Sequence, residues 1–262
     1  MRFLIHFSYD GSSFHGYQTQ PGYRTIQEEL ENAATKINNG EKVKVVASGR
    51  TDKKVHAYHQ VAHLDMNVSI SPKQVKRAMN RYLPSDIHVF EVEEVSSDFH
   101  ARYYVISKTY EYHLNMGEYN PIRRNYCYQH NYKLDIEAMK KAITYFIGTH
   151  DFRAFVTENS IKDNCVRTIT NASITLDDYY KDEIVFTFEG NGFLRYQVRN
   201  MVGLLIKVGT GKIDYKLVKE ILDSKVRGKY GTTAKAEGLY LKNIILRSWQ
   251  IKRLWYNFNR YI

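Results

Sequence analysis

A carboxylate, two ammonium groups, a guanidinium and an imidazole stand close together in Gly49-Arg50-Thr51-Asp52-Lys53-Lys54-Val55-His56-Ala57. An aspartate ionises at about pH 4, so at neutral pH Asp52 is already an anion that can act as nucleophile or base. Keeping that charge in a dry site costs several kcal/mol unless a cation stands by, and arginine suits the task because it stays charged and forks onto both oxygens. Arg50 lies two residues before Asp52, and in an extended segment the two point to the same side. The stretch follows the apolar run Val43, Val45, Val46 and stops at Ser48-Gly49, the usual shape of a site built at a strand end. Read alone, Gly-Arg-Thr-Asp also describes a solvated surface turn. The weight must come from the rest of the chain.

The elements that would position this stretch follow from periodicity. Phe3, Ile5, Phe7 and Tyr9 alternate against Leu4, His6 and Ser8 as a strand does, and Asp10-Gly11 ends it. Ile26, Leu30, Ala33, Ala34 and Ile37 fall at helical spacing after Thr25, a capping-box candidate with Glu28. Strands are expected over residues 42–48, 58–66 and 87–95, and Pro72 opens a helix that runs to Tyr82. The first half therefore reads β-α-β-β-α-β, the split ferredoxin-like pattern. In the second half a strand is expected from Lys108, a helix over 134–147, a loop over 150–155 and a hairpin over 166–176 and 183–189. Helices follow over 193–208 and 215–222, with a last strand over 239–246. The expected architecture is α+β, two ferredoxin-like or RRM-like halves with mainly antiparallel sheets flanked by helices and a basic cleft between them. The halves are residues 1–103, carrying the Asp52 loop, and 104–262, completing the cleft.

The composition narrows the partners. With 262 residues, 43% hydrophobic and 25% charged, the chain can bury a large core without disulfides. Cys127 and Cys165 show neither metal spacing nor a framework, which fits a reducing compartment. The N-terminal alternation does not read as a signal peptide, no apolar run reaches the roughly 20 residues of a membrane span, and a cytoplasmic location is expected. A net charge of +10 favours a polyanion, and 22 tyrosines offer stacking faces for unpaired bases, a combination suited to RNA. His56, His59 and His63 lack an acidic or Cys partner at a recognised metal spacing. Gly209-Thr210-Gly211-Lys212 is no phosphate loop, because Ile206 and Ile213 stand where a glycine and a hydroxyl residue are needed, and Gly190 and Gly192 lack the third glycine of a dinucleotide site.

Ten fragments in order give the chain its resemblance. They are Tyr9-Asp10-Gly11 with Gly16-Tyr17-Gln18, Gly49-Arg50-Thr51-Asp52 with Val55-His56-Ala57, Leu83-Pro84 with Asp86-Ile87, Phe99-His100-Ala101-Arg102, Lys108-Thr109-Tyr110-Glu111-Tyr112, Gly148 with His150-Asp151-Phe152, Arg167-Thr168-Ile169, Gly190-Asn191-Gly192-Phe193-Leu194, Val198-Arg199-Asn200, and Thr233-Ala234-Lys235-Ala236-Glu237-Gly238-Leu239. Over nearly its whole length the chain resembles the TruA tRNA pseudouridine synthases. The resemblance implies isomerisation of uridine in the anticodon stem-loop of tRNA: the C1′–N1 bond breaks, the uracil turns, and C5 bonds to C1′. It implies no cofactor and no metal, a tRNA partner and a homodimer. Asp52 matches the catalytic aspartate, which attacks C1′, adds to the base or takes the C2′ proton; the resemblance leaves the three open. Tyr110 matches the tyrosine that stacks on the target base and can transfer a proton. Arg199 matches the arginine that pairs with the aspartate, and Arg50 the residue that replaces the extruded base. His56, Lys53 and Lys54 are expected to contact substrate.

The chain departs from the family at Lys53-Lys54, where Ala-Gly is common. If that glycine served a positive φ, Lys54 bears a cost of about 1 kcal/mol or the turn differs. The alternative function is a catalytically silent tRNA- or RNA-binding protein in which the two lysines have spoiled the site. A glycosidase using Asp52 would need a second carboxylate beside it, and none stands near the motif. Residues 247–262, with Trp249, Lys252, Arg253, Trp255, Tyr256 and Arg260, form a basic-aromatic tail beyond the last shared motif, suited to RNA, to a dimer contact or to a frayed end.

Overall fold

The computed structural model describes residues 1–157 and 164–247; the basic-aromatic tail from residue 248 lies outside them. The chain divides into two compact units, Met1–Ile106 joined by the described chain from Leu241, and Ser107–Tyr240.

The first unit runs β1 (Arg2–Tyr9), α1 (Ile26–Ile37), β2 (Val45–Ala47), β3 (His56–Asp65), α2 (Pro72–Tyr82) and β4 (Ile87–Val95). The sheet order is β4-β1-β3 with β2 also on β3, every pairing antiparallel, and β10 (Leu239–Leu246) returns to lie beside β3. This is the ferredoxin-like order that the β-α-β-β-α-β reading requires. Phe3, Ile5 and Phe7 of β1 are fully buried together with Leu30 and Ala34 of α1 and Val75 and Met79 of α2, so the apolar stripe of each helix meets the period-2 face of the sheet. Burying a side chain of this size stabilises by about 1.5–3 kcal/mol.

The second unit holds most of β5 (Val105–Asn115), then β6 (Tyr128–Gln129), α3 (Ile136–Ile143), β7 (Gly148–Asp151), β8 (Val166–Leu176), β9 (Glu183–Gly190), α4 (Gln197–Gly209) and α5 (Leu217–Ser224). Its strands are ordered β5-β9-β8-β7 and antiparallel, with the short β6 parallel to β5. Both units are mixed α+β with mainly antiparallel sheets. Among the described residues, no helix is long and apolar enough to cross a membrane.

Four local expectations are corrected. Thr25 precedes α1 in extended conformation but makes no side-chain cap, and its buried Oγ1 has no hydrogen-bond partner. The capping box belongs to α2, where Ser71 and Gln74 satisfy each other's backbone N–H groups and Pro72 follows at the first turn. The helix expected over 134–147 starts after Asp135, whose side chain accepts from the Ala138 N–H at 2.9 Å, and tightens to a 3₁₀ turn over Thr144–Phe146. Of the residues expected as a loop over 150–155, His150 and Asp151 end edge strand β7 against β8, and Arg153–Phe155 form a 3₁₀ turn. The helix expected from Phe193 begins at Gln197, because Tyr196 takes a left-handed φ of 64° and the Gln197 side chain caps the Leu194 N–H at 2.8 Å.

Candidate active site

The Asp52 turn connects β2 to β3 and is pinned at Ser48, Gly49, Thr51 and Val55. Ser48 donates from Oγ to Gln60 Oε1 at 2.7 Å, and Gln60, fully buried on β3, donates from Nε2 to the Gly49 carbonyl at 3.1 Å. Thr51 is buried, with Oγ1 2.7 Å from the Tyr9 hydroxyl, while its carbonyl accepts from the Tyr17 N–H at 3.1 Å. Burial pushes the Tyr9 hydroxyl well above its ordinary range, so it stays protonated. The Val55 N–H donates to the Asp52 carbonyl, and Val55 is again buried. With Ser48, Thr51 and Val55 facing inward, Arg50, Lys53 and Lys54 are exposed and Asp52 is half-buried. Hydrogen bonds from below fix the backbone that carries the chemistry.

The loop after β1 supplies the floor. A Cβ on Gly11 would stand 2.0 Å from the Val55 carbonyl oxygen. A Cβ on Gly16, whose φ is +97°, would stand 3.0 Å from the Thr51 oxygen and 3.3 Å from the Asp52 carbonyl carbon. Only glycine allows that close an approach. His56 is 2% exposed, and its Nδ1 accepts from the Gly11 N–H at 3.1 Å while Asp10 Oδ1 lies at the same distance. The imidazole joins the floor loop to the end of the turn. Lys54 closes the turn with φ 65°, a left-handed conformation that costs a side-chain-bearing residue about 1 kcal/mol or more. Lys53 directs its Nζ to His15 Nε2 at 2.9 Å, and the His15 ring lies 4.2 Å from that of Tyr23. His15, Gln60 and Tyr9 were not singled out as site residues by the sequence; Gln60 reads there as an ordinary strand residue. Of the histidines considered for metal, His59 sets Nδ1 2.7 Å from Asn243 Oδ1 and His63 accepts the Ala101 N–H on Nδ1.

Tyr110 and Arg199 belong to the second unit. Tyr110 faces Phe188 across the β5–β9 ladder and meets the Phe193 ring edge-on at 5.1 Å. Its neighbour on the same face, Tyr112, is fully buried, donates from its hydroxyl to the Lys235 carbonyl at 2.8 Å, and is held protonated by burial. Tyr110 is half-buried and Tyr112 is structural. Arg199 lies in the first turn of α4, its Nε donating to the Ala234 carbonyl at 2.8 Å, its own carbonyl accepting the Ala234 N–H at 3.0 Å, and its guanidinium 5.4 Å from the Tyr196 ring. Asn200 is buried, with Nδ2 donating to the Phe155 carbonyl at 2.6 Å and Oδ1 accepting from Thr233 Oγ1 at 2.6 Å. The strap over Thr233 and Ala234 therefore fixes the stem of Arg199. Unit one gathers Arg50, Asp52, Lys53, Lys54 and His56 on one turn; unit two gathers Tyr110 and Phe193 with the start of α4.

Residues 5–104 and 142–245 match the family described as tRNA pseudouridine synthase. The tRNA pseudouridine synthase A of Streptococcus agalactiae serotype Ia is 44% identical over 245 residues, which cover 93% of this chain and 95% of that protein. The protein of the same name from Streptococcus mutans serotype c is 43% identical over 246 residues, covering 94% and 98%. Among solved structures, a chain of a Cbf5-Nop10-Gar1 complex aligns at a TM-score of 0.31 and 14% identity, covering 78% of this chain and 54% of that one, a likeness too slight to bear on the fold. With a family match that spans both units and relatives that align from end to end, the chain belongs to the tRNA pseudouridine synthase A (TruA) family.

Proposed function

We propose that this protein isomerises uridine to pseudouridine in the anticodon stem-loop of tRNA, with Asp52 as its nucleophile. Family membership makes it an isomerase of tRNA uridines; the stem-loop and the residue roles are the finer part of the reading. In the reaction the C1′–N1 bond breaks, N1 is left carrying the electron pair and then a proton, the uracil turns, and C5 bonds to C1′ with loss of its hydrogen. The Asp52 carboxylate supplies the charge at C1′ that the departing base leaves unsatisfied. Arg199 pairs with that carboxylate and orients it, Tyr110 stacks on the uracil and serves proton transfer, and Arg50 fills the place of the extruded base. Lys53 and Lys54 contact phosphate; His56, expected to contact substrate, is 2% exposed and holds the Gly11 N–H, which supports a positioning role beneath the turn instead. The protein acts in the cytoplasm as a homodimer without a cofactor in this reading.

The observation that carries the proposal is the Asp52 turn itself. It leaves a carboxylate half-buried on a backbone pinned at Ser48, Thr51 and Val55, the preorganisation a nucleophile needs. The silent RNA-binding alternative has Lys53-Lys54 spoil the site; the left-handed φ of 65° at Lys54, which a glycine would supply, supports a turn that accommodates the substitution. Tritium release from tRNA carrying 5-³H-uridine tests the reading. Wild type should release tritium, and Asp52→Asn should reduce release by about 10³-fold or more while tRNA affinity stays within a few-fold. Comparable rates from the two proteins would remove Asp52 from the chemistry; no release by either, with binding intact, would return the silent reading.

A further inference from the structure

Three donor groups outside the proposed site converge in the second unit. His113 stands on β5, Asp177 directly follows β8, and Glu183 opens β9. One ligand atom from each lies within 4.8 Å of the other two. His113 is 9% exposed, and both of its ring nitrogens are buried without a hydrogen-bond partner. Leaving a buried polar group of this kind without a partner is unfavourable, so its persistence points to something that satisfies it. Nδ1 is 3.7 Å from Asp177 Oδ2 and Nε2 is 3.8 Å from Glu111 Oε2, both beyond hydrogen-bond range. Two ligands on one ion with bonds of about 2.1 Å stand roughly 3.4 Å apart in a tetrahedral site. The His113–Asp177 separation is already close to that.

The carboxylates are held in place by other groups. Asp177 Oδ1 accepts the N–H groups of Tyr179 and Tyr180 at 2.9 and 3.0 Å, which leaves Oδ2 as the oxygen near His113. Glu183 is gripped at both oxygens by Arg123, at 3.1 and 2.7 Å, and the Arg123 guanidinium lies 4.2 Å from the Tyr180 ring. Outer partners of this type orient metal ligands. Imidazole with carboxylates suits a borderline divalent ion.

We propose that His113, Asp177 and Glu183 bind a divalent transition-metal cation of the zinc class. The ion clips the β8–β9 turn to β5, the strand that carries Tyr110, and takes no part in the isomerisation. The experiment is calorimetric titration of Zn²⁺ into the EDTA-stripped full chain, with melting temperatures measured at each ratio. Wild type should take up one equivalent and melt higher with metal than without. His113→Gln and Asp177→Asn should each weaken binding about tenfold or more and lose the thermal shift. If His113→Gln does not fold, Asp177→Asn on the turn decides alone. No stoichiometric uptake by wild type, or unchanged uptake by the folded variants, would overturn the site.

Discussion

Lys54 shows what a single backbone angle reveals about a substituted motif. Lys54 stands where the resemblance leads one to expect glycine, and it takes the left-handed φ of 65° that glycine adopts without strain. Lys54→Gly should therefore relieve strain and raise the unfolding free energy, by about 0.5–1 kcal/mol once the added freedom of the unfolded chain is subtracted. Urea unfolding followed by circular dichroism measures it, with tritium release at saturating tRNA expected near the wild-type rate. A loss of stability would mean that the lysine side chain makes contacts worth more than the strain. The types and spacing of Arg50, Thr51 and Asp52 made the turn legible, but not its supports. Gln60 and Tyr9 are far from the motif in sequence, and only the fold places Gln60 under Gly49 and Tyr9 beside Thr51.

At the scale of elements, Arg199 depends on a strap that periodicity cannot see. The 3.6-residue stripe of α4 was readable from Val198, Met201, Val202 and Leu205, all buried, whereas its first turn was not, because Tyr196 breaks the helix with a left-handed φ. The pairing of Ala234 with Arg199 on both backbone and side chain joins residues 35 apart. Arg199→Lys keeps the charge and loses the Nε bond to Ala234, so kcat should fall about 10–100-fold with tRNA affinity little changed, and Arg199→Ala should fall further. Wild-type kinetics in the lysine variant would detach the strap from catalysis. The joint after β4 carries a pH signature of its own. His63 accepts the Ala101 N–H on Nδ1, and burial, aided by the charges of Arg2 and His100, lowers its pKa to about 4. Between about pH 4 and 6.5 the unfolded chain binds a proton at His63 that the folded chain does not, so this residue makes stability rise with pH across that window and fall on acidification. Urea midpoints at pH 7 and pH 5 should differ more for wild type than for His63→Gln; equal differences would show that His63 charges in the folded state.

For the whole molecule, the positive charge acts through phosphate. A net charge of +10 spread over 38 basic and 28 acidic residues predicts that log affinity for tRNA falls linearly with log salt, with a slope of about −0.7 to −0.9 for each phosphate contacted. That slope separates the two kinds of residue on the Asp52 turn. In the proposed reading Asp52 acts at C1′ and not on phosphate, so Asp52→Asn should leave the slope within error of wild type. Lys53 and Lys54 are exposed beside it, and Lys53→Ala with Lys54→Gly should reduce the slope by about one to two units and weaken binding at low salt more than at high salt. Lys53 is already aimed, because His15 Nε2 accepts from its ammonium at 2.9 Å, so less side-chain entropy is lost when a phosphate arrives. His15→Phe should then weaken low-salt binding while leaving the slope unchanged, since it removes the aim and not the charge. Filter-binding titrations over a series of salt concentrations measure all three. A double lysine variant with the wild-type slope would place both ammonium groups away from the RNA and leave the polyanion to cations elsewhere on the two units.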